Sequence, residues 1–164
     1  MMIKVKIEGV VLDLKSNLPI IVLKDEKNRV LPITVGLFEA QSIAFAMEAV
    51  RIPRPLTHDL IKNIFQKLGV KLMRVEITEL KGGTYFAHLV IKAKTDEKII
   101  MDSRPSDAIA IALRLKAPIY VLEELLIAKN IFSKPITDKE RKEFKDEVQK
   151  LKPQDIWKEL KRAD

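Results

Sequence analysis

Ile3, Val5 and Ile7 alternate with Lys4, Lys6 and Glu8, the period-two pattern of a strand with one face buried, and this first strand is expected to run to Leu14. Turn-forming groups at Ser16-Asn17 and from Asp25 to Asn28 separate the apolar runs 19–24 and 29–35. Together the three segments predict an antiparallel meander that ends at Gly36. From Leu37 to Val50 only Glu39, Gln41, Ser42 and Glu48 are polar, as expected of a mostly buried helix. Thr57 can cap a second helix from His58 to Leu68, and Gly69 can supply the left-handed conformation that stops it.

Strands over 70–80 and 84–94 follow, joined through Lys81-Gly82-Gly83 as a hairpin, and a short strand ends near Asp102. Pro105 suits the first turn of a third helix, apolar and alanine-rich from Ala108 to Leu115, with Arg114 and Lys116 set against its dipole. Pro118 to Leu122 reads as another strand, so 98–122 forms a strand-helix-strand crossover and implies one parallel pairing. The fold class is α/β of the α+β type: a mixed, mostly antiparallel sheet with buried helices. After Phe132 the character changes. Residues 133–164 carry ten basic and eight acidic side chains, a capping box from Thr137 to Glu140 and a second helix start near Pro153. A core domain over 1–132 and a charged helical extension over 133–164 are therefore expected. Phe144, Val148 and Leu151 follow helical spacing and can dock on the core or, as the second choice, on another subunit.

At 164 residues the chain suits one core that buries roughly 70% of its unfolded surface. No apolar run spans a bilayer and Met1 to Glu8 lack the features of a signal peptide, so a cytoplasmic location is expected. Absence of cysteine removes disulfides and thiolate nucleophiles, and two histidines, His58 and His88, cannot alone complete a zinc site. Any metal would be held mainly by carboxylates, which favours magnesium, manganese or calcium. The net charge of +7 suits a polyanion such as nucleic acid and equally serves solubility. Abundant Lys and Glu with few Asn and Gln suggest a heat-adapted source.

Two Arg-Pro pairs lead into helices with an aspartate in the opening turn: Arg54-Pro55-Leu56-Thr57-His58-Asp59 and Arg104-Pro105-Ser106-Asp107. Such residues can simply cap a helix, and the arginines can pair with the aspartates or hold a phosphate bidentately. Glu39 shares a helical stripe with Ile43, Ala46 and Val50, so it faces something other than bulk water and needs a metal, an arginine or backbone N–H groups. Asp102 closes a strand where α/β sheets tend to bind ligands, and if strand ends converge, Glu39, Asp102 and Asp107 can form a divalent-metal site with Arg54 and Arg104 on the phosphate. His58 can serve as general acid or base, or merely sit in a first turn; His88, on a strand face with Phe86 and Val90, reads as structural. No phosphate-binding Gly-rich loop, nucleophile elbow or dinucleotide fingerprint occurs, and aromatics at 5% argue against a stacking platform.

On Leu31-Pro32-Ile33 through Gly36, Glu39-Ala40, Pro53 through Asp59, Thr84-Tyr85-Phe86-Ala87 and Asp102 through Ala108, the sequence resembles the bifunctional nuclease domain family over about residues 1–132. The resemblance implies a nuclease acting on RNA or DNA. Fitted to the chemistry of these positions, the expectation is a metal-dependent phosphodiesterase using Mg or Mn. Its metal ligands would be Glu39, Asp102 and Asp107, its phosphate ligands Arg54, Arg104 and Ser106, and its proton-transfer groups His58, Asp59 and Asp107. The alternative is a non-catalytic anion- or nucleic-acid-binding regulatory domain. A third reading is a structural protomer of a homo-oligomer, for which a dimer is the simplest form.

Overall fold

The computed structural model describes residues 1–13 and 16–128. The expected helical extension over 133–164 lies outside the described residues. The elements run β1 (Met2–Leu12), β2 (Pro19–Lys24), β3 (Arg29–Thr34), α1 (Leu37–Met47), α2 (Thr57–Leu68), β4 (Lys71–Lys81), β5 (Thr84–Lys92), β6 (Lys98–Ser103), α3 (Pro105–Leu115), β7 (Ile119–Leu122) and β8 (Ile127–Ala128), with a short 3-10 turn before β8. They form one eight-stranded sheet in the order β6-β5-β4-β7-β1-β2-β3-β8. The mixed α/β architecture and the meander β1-β2-β3 follow the hydrophobic pattern.

The sheet is continuous because β1 changes partners along its length. Met2 to Val5 pair with β7, while Lys6 to Leu12 pair with β2, and the register shifts between Ile7 and Gly9. The β4–β7 ladder is the parallel pairing, joining Val75 to Ile119 and Ile77 to Val121. The crossover through α3 therefore delivers β7 beside β4, with β5 and β4 lying between it and β6. Val75 and Ile77, fully buried, offer a central strand for β7, whereas β6 stays on the rim with exposed Ile99, Ile100 and Met101.

The helices cover one face, with α3 at their centre, packed on β4 and β5 and against both α1 and α2. Its alanines explain the arrangement: Ala108, Ala110 and Ala112 are fully buried and let the neighbours approach closely. Pro105 occupies the first helical position, as expected. Lys116, at φ 55°, closes the helix in the left-handed region rather than by charge alone. Gly69 ends α2 at φ 65°, the conformation glycine adopts without strain. The cap at the start of α2 differs from expectation. Leu56 holds the capping position, Thr57 is the first helical residue, and the Leu56 N–H donates to Asp59 Oδ2 at 3.0 Å.

Ile109, fully buried in α3 between the sheet and the other helices, tests this packing. Ile109→Ala should lower the unfolding free energy by about 2–5 kcal/mol. Urea unfolding would register this as a lower midpoint at an unchanged slope.

Candidate active site

Each helix carries a carboxylate at its third helical position: Glu39 in α1, Asp59 in α2 and Asp107 in α3. A carboxylate there suits the exposed N–H groups and the positive dipole end. Here each is also answered by an arginine of the α3 segment. Arg104, which caps α3, donates from Nε and Nη2 to Asp107 Oδ2 and Oδ1 at 2.7 and 3.0 Å, and from Nη1 to Glu39 Oε1 at 2.9 Å. Arg114, one helix length further on, donates from Nε to Asp59 Oδ1 at 2.7 Å and from Nη2 to Ser42 Oγ at 3.1 Å.

His58 joins the two halves. Its Nε2 lies 3.0 Å from Asp107 Oδ1 and its Nδ1 lies 2.8 Å from Ser42 Oγ. The proton positions follow from the donors around it. Burial pushes the Asp107 carboxyl up, but hydrogen bonds from Arg104 and His58 outweigh it and hold the group below its ordinary range. The carboxylate is thus ionised near neutrality and only accepts, so His58 carries its proton on Nε2. With a neutral ring, Nδ1 accepts from the Ser42 hydroxyl, whose oxygen accepts from Arg114. The chain of donors then runs without conflict from Arg114 through Ser42 and His58 to Asp107. Asp107 in turn pushes the Arg104 guanidinium up from its usual value, with Glu39 adding to the effect.

The network lines a cleft of about 830 Å³. Glu39, Ser42, His58, Arg104 and Asp107 supply its polar wall, while Phe38, Leu56, Ile64, Phe65 and Met101 supply an apolar one. Arg104 is the exposed member, with 65% of its side chain open to solvent. A smaller pocket of about 300 Å³ lies along Gly36, Gly83, Tyr85, Arg104 and Ser106. A Cβ at Gly36 would meet the end of the Glu39 side chain, which would have to shift to make room.

The sequence-level candidates divide. Glu39, His58, Arg104 and Asp107 come together. Asp59 belongs to the network but not to the cleft lining, and its partners are structural. Ser106 is buried and lines the smaller pocket instead. Arg54 is exposed, lines neither pocket and makes no hydrogen bond or ion pair with a described residue. The second Arg-Pro pair places its arginine at the helix cap, whereas Arg54 stops two residues short of Leu56. Asp102 reaches the cleft rim but lies across from His88 in the β5–β6 ladder, with no bond to Glu39 or Asp107. His88 is flanked by core residues Ala87 and Leu89 and so faces the other side of the sheet, between Glu76 and Asp102. The expected triad of Glu39, Asp102 and Asp107 is therefore not assembled. Among the described residues no group of three or more His, Cys, Asp or Glu is placed to hold a metal ion. Guanidinium nitrogens occupy the place between Glu39 and Asp107 that a cation would take. Sequence reasoning passed over Ser42, one polar residue on an apolar helix, and Arg114, which looked like a dipole complement.

A mixed α/β domain with an arginine-carboxylate-histidine cleft at its helix N-termini is the class defined so far. The sequence comparisons give the family: residues 21–134 match the bifunctional nuclease domain, and the chain belongs to that family. An uncharacterized protein of Mycobacterium tuberculosis is 38% identical over 152 residues, covering 91% of this chain and 90% of its own. Bifunctional nuclease 1 of Oryza sativa subsp. indica is 36% identical over 117 residues, 68% of this chain. Bifunctional nuclease 1 of Arabidopsis thaliana is 36% identical over 107 residues, 63% of this chain. The chain spans only 35% and 33% of those two plant proteins. Among the described residues no helix is long and apolar enough to cross a membrane.

Arg114→Ala should destabilise the fold by about 2–4 kcal/mol, less than a fully buried broken pair because Asp59 is 27% exposed while Arg114 is 5% exposed. Thermal and urea unfolding measure it. The depressed Asp107 carboxyl has a second consequence. Its folded value lies below the unfolded value of about 3.9, so its contribution to stability is present above about pH 4 and is lost as pH falls through the folded value. Urea midpoints taken down to about pH 2 should show a shallower acid loss for Asp107→Asn than for the natural chain.

Proposed function

We propose that the cleft binds the phosphodiester backbone of RNA or DNA and that the chain is a nuclease. The observation that carries this reading is Arg104: a guanidinium 65% open to solvent, oriented by two carboxylates, at the mouth of a cleft lined by a histidine-aspartate pair. Nη1 and Nη2 each retain an N–H group that no described residue uses, and a planar pair of donors suits a phosphate oxygen pair. The plant relatives are named bifunctional nucleases, which supports the reaction class. The net charge of +7 supports a polyanionic substrate.

In this reading Arg104 holds the scissile phosphate and offsets the charge that builds on its oxygens. Asp107, ionised and partly exposed, orients the attacking water. As the water oxygen bonds to phosphorus, its proton passes to Asp107, whose contact with His58 is held in place by Ser42 and Arg114, and the bond from phosphorus to the leaving oxygen breaks, that oxygen taking its proton from solvent. Phe38, 54% exposed on the apolar wall, offers one ring against which a base can rest. Among the described residues the carboxylates form no cation cage, and dependence on Mg or Mn is read from cleavage with each metal and with EDTA.

The same network joins three helices, which favours a second reading, a non-catalytic anion-binding domain. Labelled RNA and DNA separate the two when incubated with the natural chain, Arg104→Ala and His58→Ala, each with magnesium, manganese or EDTA. A nuclease loses about 10²-fold or more of its cleavage in either variant. Arg104→Ala should also cost about 1 kcal/mol or less of stability per lost surface pair. Equal cleavage by all three proteins removes the proposal, and binding without cleavage moves it to the second reading.

A further inference from the structure

The two edges of the sheet are unlike. Within the described residues β8 is two residues long, Ile127–Ala128. β6, at the other end, runs for six residues, Lys98–Ser103, and no described strand pairs with its outer side. Its three central residues are exposed: Ile99 at 38%, Ile100 at 57% and Met101 at 49%. A long apolar edge of this kind is a template for another strand, and soluble proteins usually protect it with a charge, a proline or a bulge. Charges occur in β6 only towards its ends, at Lys98 and Asp102.

We propose that β6 pairs antiparallel with β6 of a second copy of this chain, with Ile100 facing Ile100 across a two-fold axis. The register follows from the sequence. Centred on Ile100, the pairing sets Lys98 opposite Asp102 of the second copy, Asp102 opposite its Lys98, and Ile99 opposite its Met101. Both ion pairs and all apolar contacts are satisfied at once, and the contact is self-complementary, as two-fold symmetry requires. Shifting the register by one residue sets an apolar residue against a charge: Ile99 faces Asp102 in one direction, and Lys98 faces Met101 in the other. Both faces of the extended sheet gain. Ile99 and Met101 lie beside the core residues Ile91 and Leu89, so their contacts continue the core across the axis. On the helix side α2 presents Leu60, Ile64 and Leu68, 53%, 45% and 59% exposed. Ile64 lines the same cleft as Met101, which brings this apolar ridge towards the edge that the second copy would cover.

The absence of cysteine supplies a direct test on the full chain. Ile100→Cys introduces one thiol per chain, and facing residues of an antiparallel pair lie about 4.5–5.5 Å apart at Cα, within disulfide reach. Mild oxidation should give a covalent dimer. Sedimentation equilibrium of the natural chain should give twice its 18.8 kDa mass. Ile100→Lys sets two like charges face to face at an exposed site and should weaken association about tenfold or more while its circular dichroism and melting stay unchanged. Lys98→Asp alone should weaken the dimer, and adding Asp102→Lys should restore it. A monomer at every concentration, or a dimer that neither cross-links at Ile100 nor responds to the charge exchange, overturns the proposal.

Discussion

Two arginines of a single helical segment fix where the other two helices begin. Arg104 at the cap of α3 holds the carboxylates of Asp107 and Glu39, and Arg114 in its last turn holds Asp59. The hydrophobic core can place α1 and α2 on the sheet, but burial is non-directional and does not set their rotation or stagger. Directional, charge-assisted bonds do. Arg114 is nearly enclosed and its role is structural, while Arg104 sits in solvent, where a surface ion pair adds little to stability. The exposed position makes better sense as a means of presenting a guanidinium with fixed geometry.

The network also shows how a fold's own needs and a site's needs overlap. Carboxylates at the third position of each helix would be useful in any protein, because they answer free N–H groups. Bringing three such helix starts to one cleft turns common capping residues into a charged cluster. His58 acquires a defined tautomer because Asp107 can only accept and because Arg114 orients the Ser42 hydroxyl. Each link is an ordinary hydrogen bond; the chemical potential of the site comes from their being in series.

Local patterning made most of the fold legible. Alternation at Ile3, Val5 and Ile7, the Gly82-Gly83 hairpin and Pro105 each act within a few residues, and each element appeared near where it was expected. The partner of β7 was not legible, because strand-helix-strand spacing fixes direction and leaves open how many strands are skipped. Site residues divided in the same way. Glu39, Arg104 and Asp107 stood out because their positions within helices announced them. Asp102 looked equally good, but strand alternation turned it towards His88, and one residue of register decides the face. Ser42 and Arg114 could not be found from spacing, since 72 residues separate two side chains whose meaning lies in their contact.

The divided pairing of β1 bears on the order in which the chain can assemble. Its second half finds β2 within a few residues, but its first half waits for β7, since Met2 to Val5 pair with Leu122 to Ile119 at the far end of the domain. During synthesis the opening residues must therefore remain without their ladder until nearly the whole domain has left the ribosome. Contacts of such sequence separation slow folding, because loop closure is paid before the ladder forms. The alternating lysines Lys4 and Lys6, which mark this strand at the start of the sequence, keep a waiting edge charged and discourage it from pairing with the wrong neighbour.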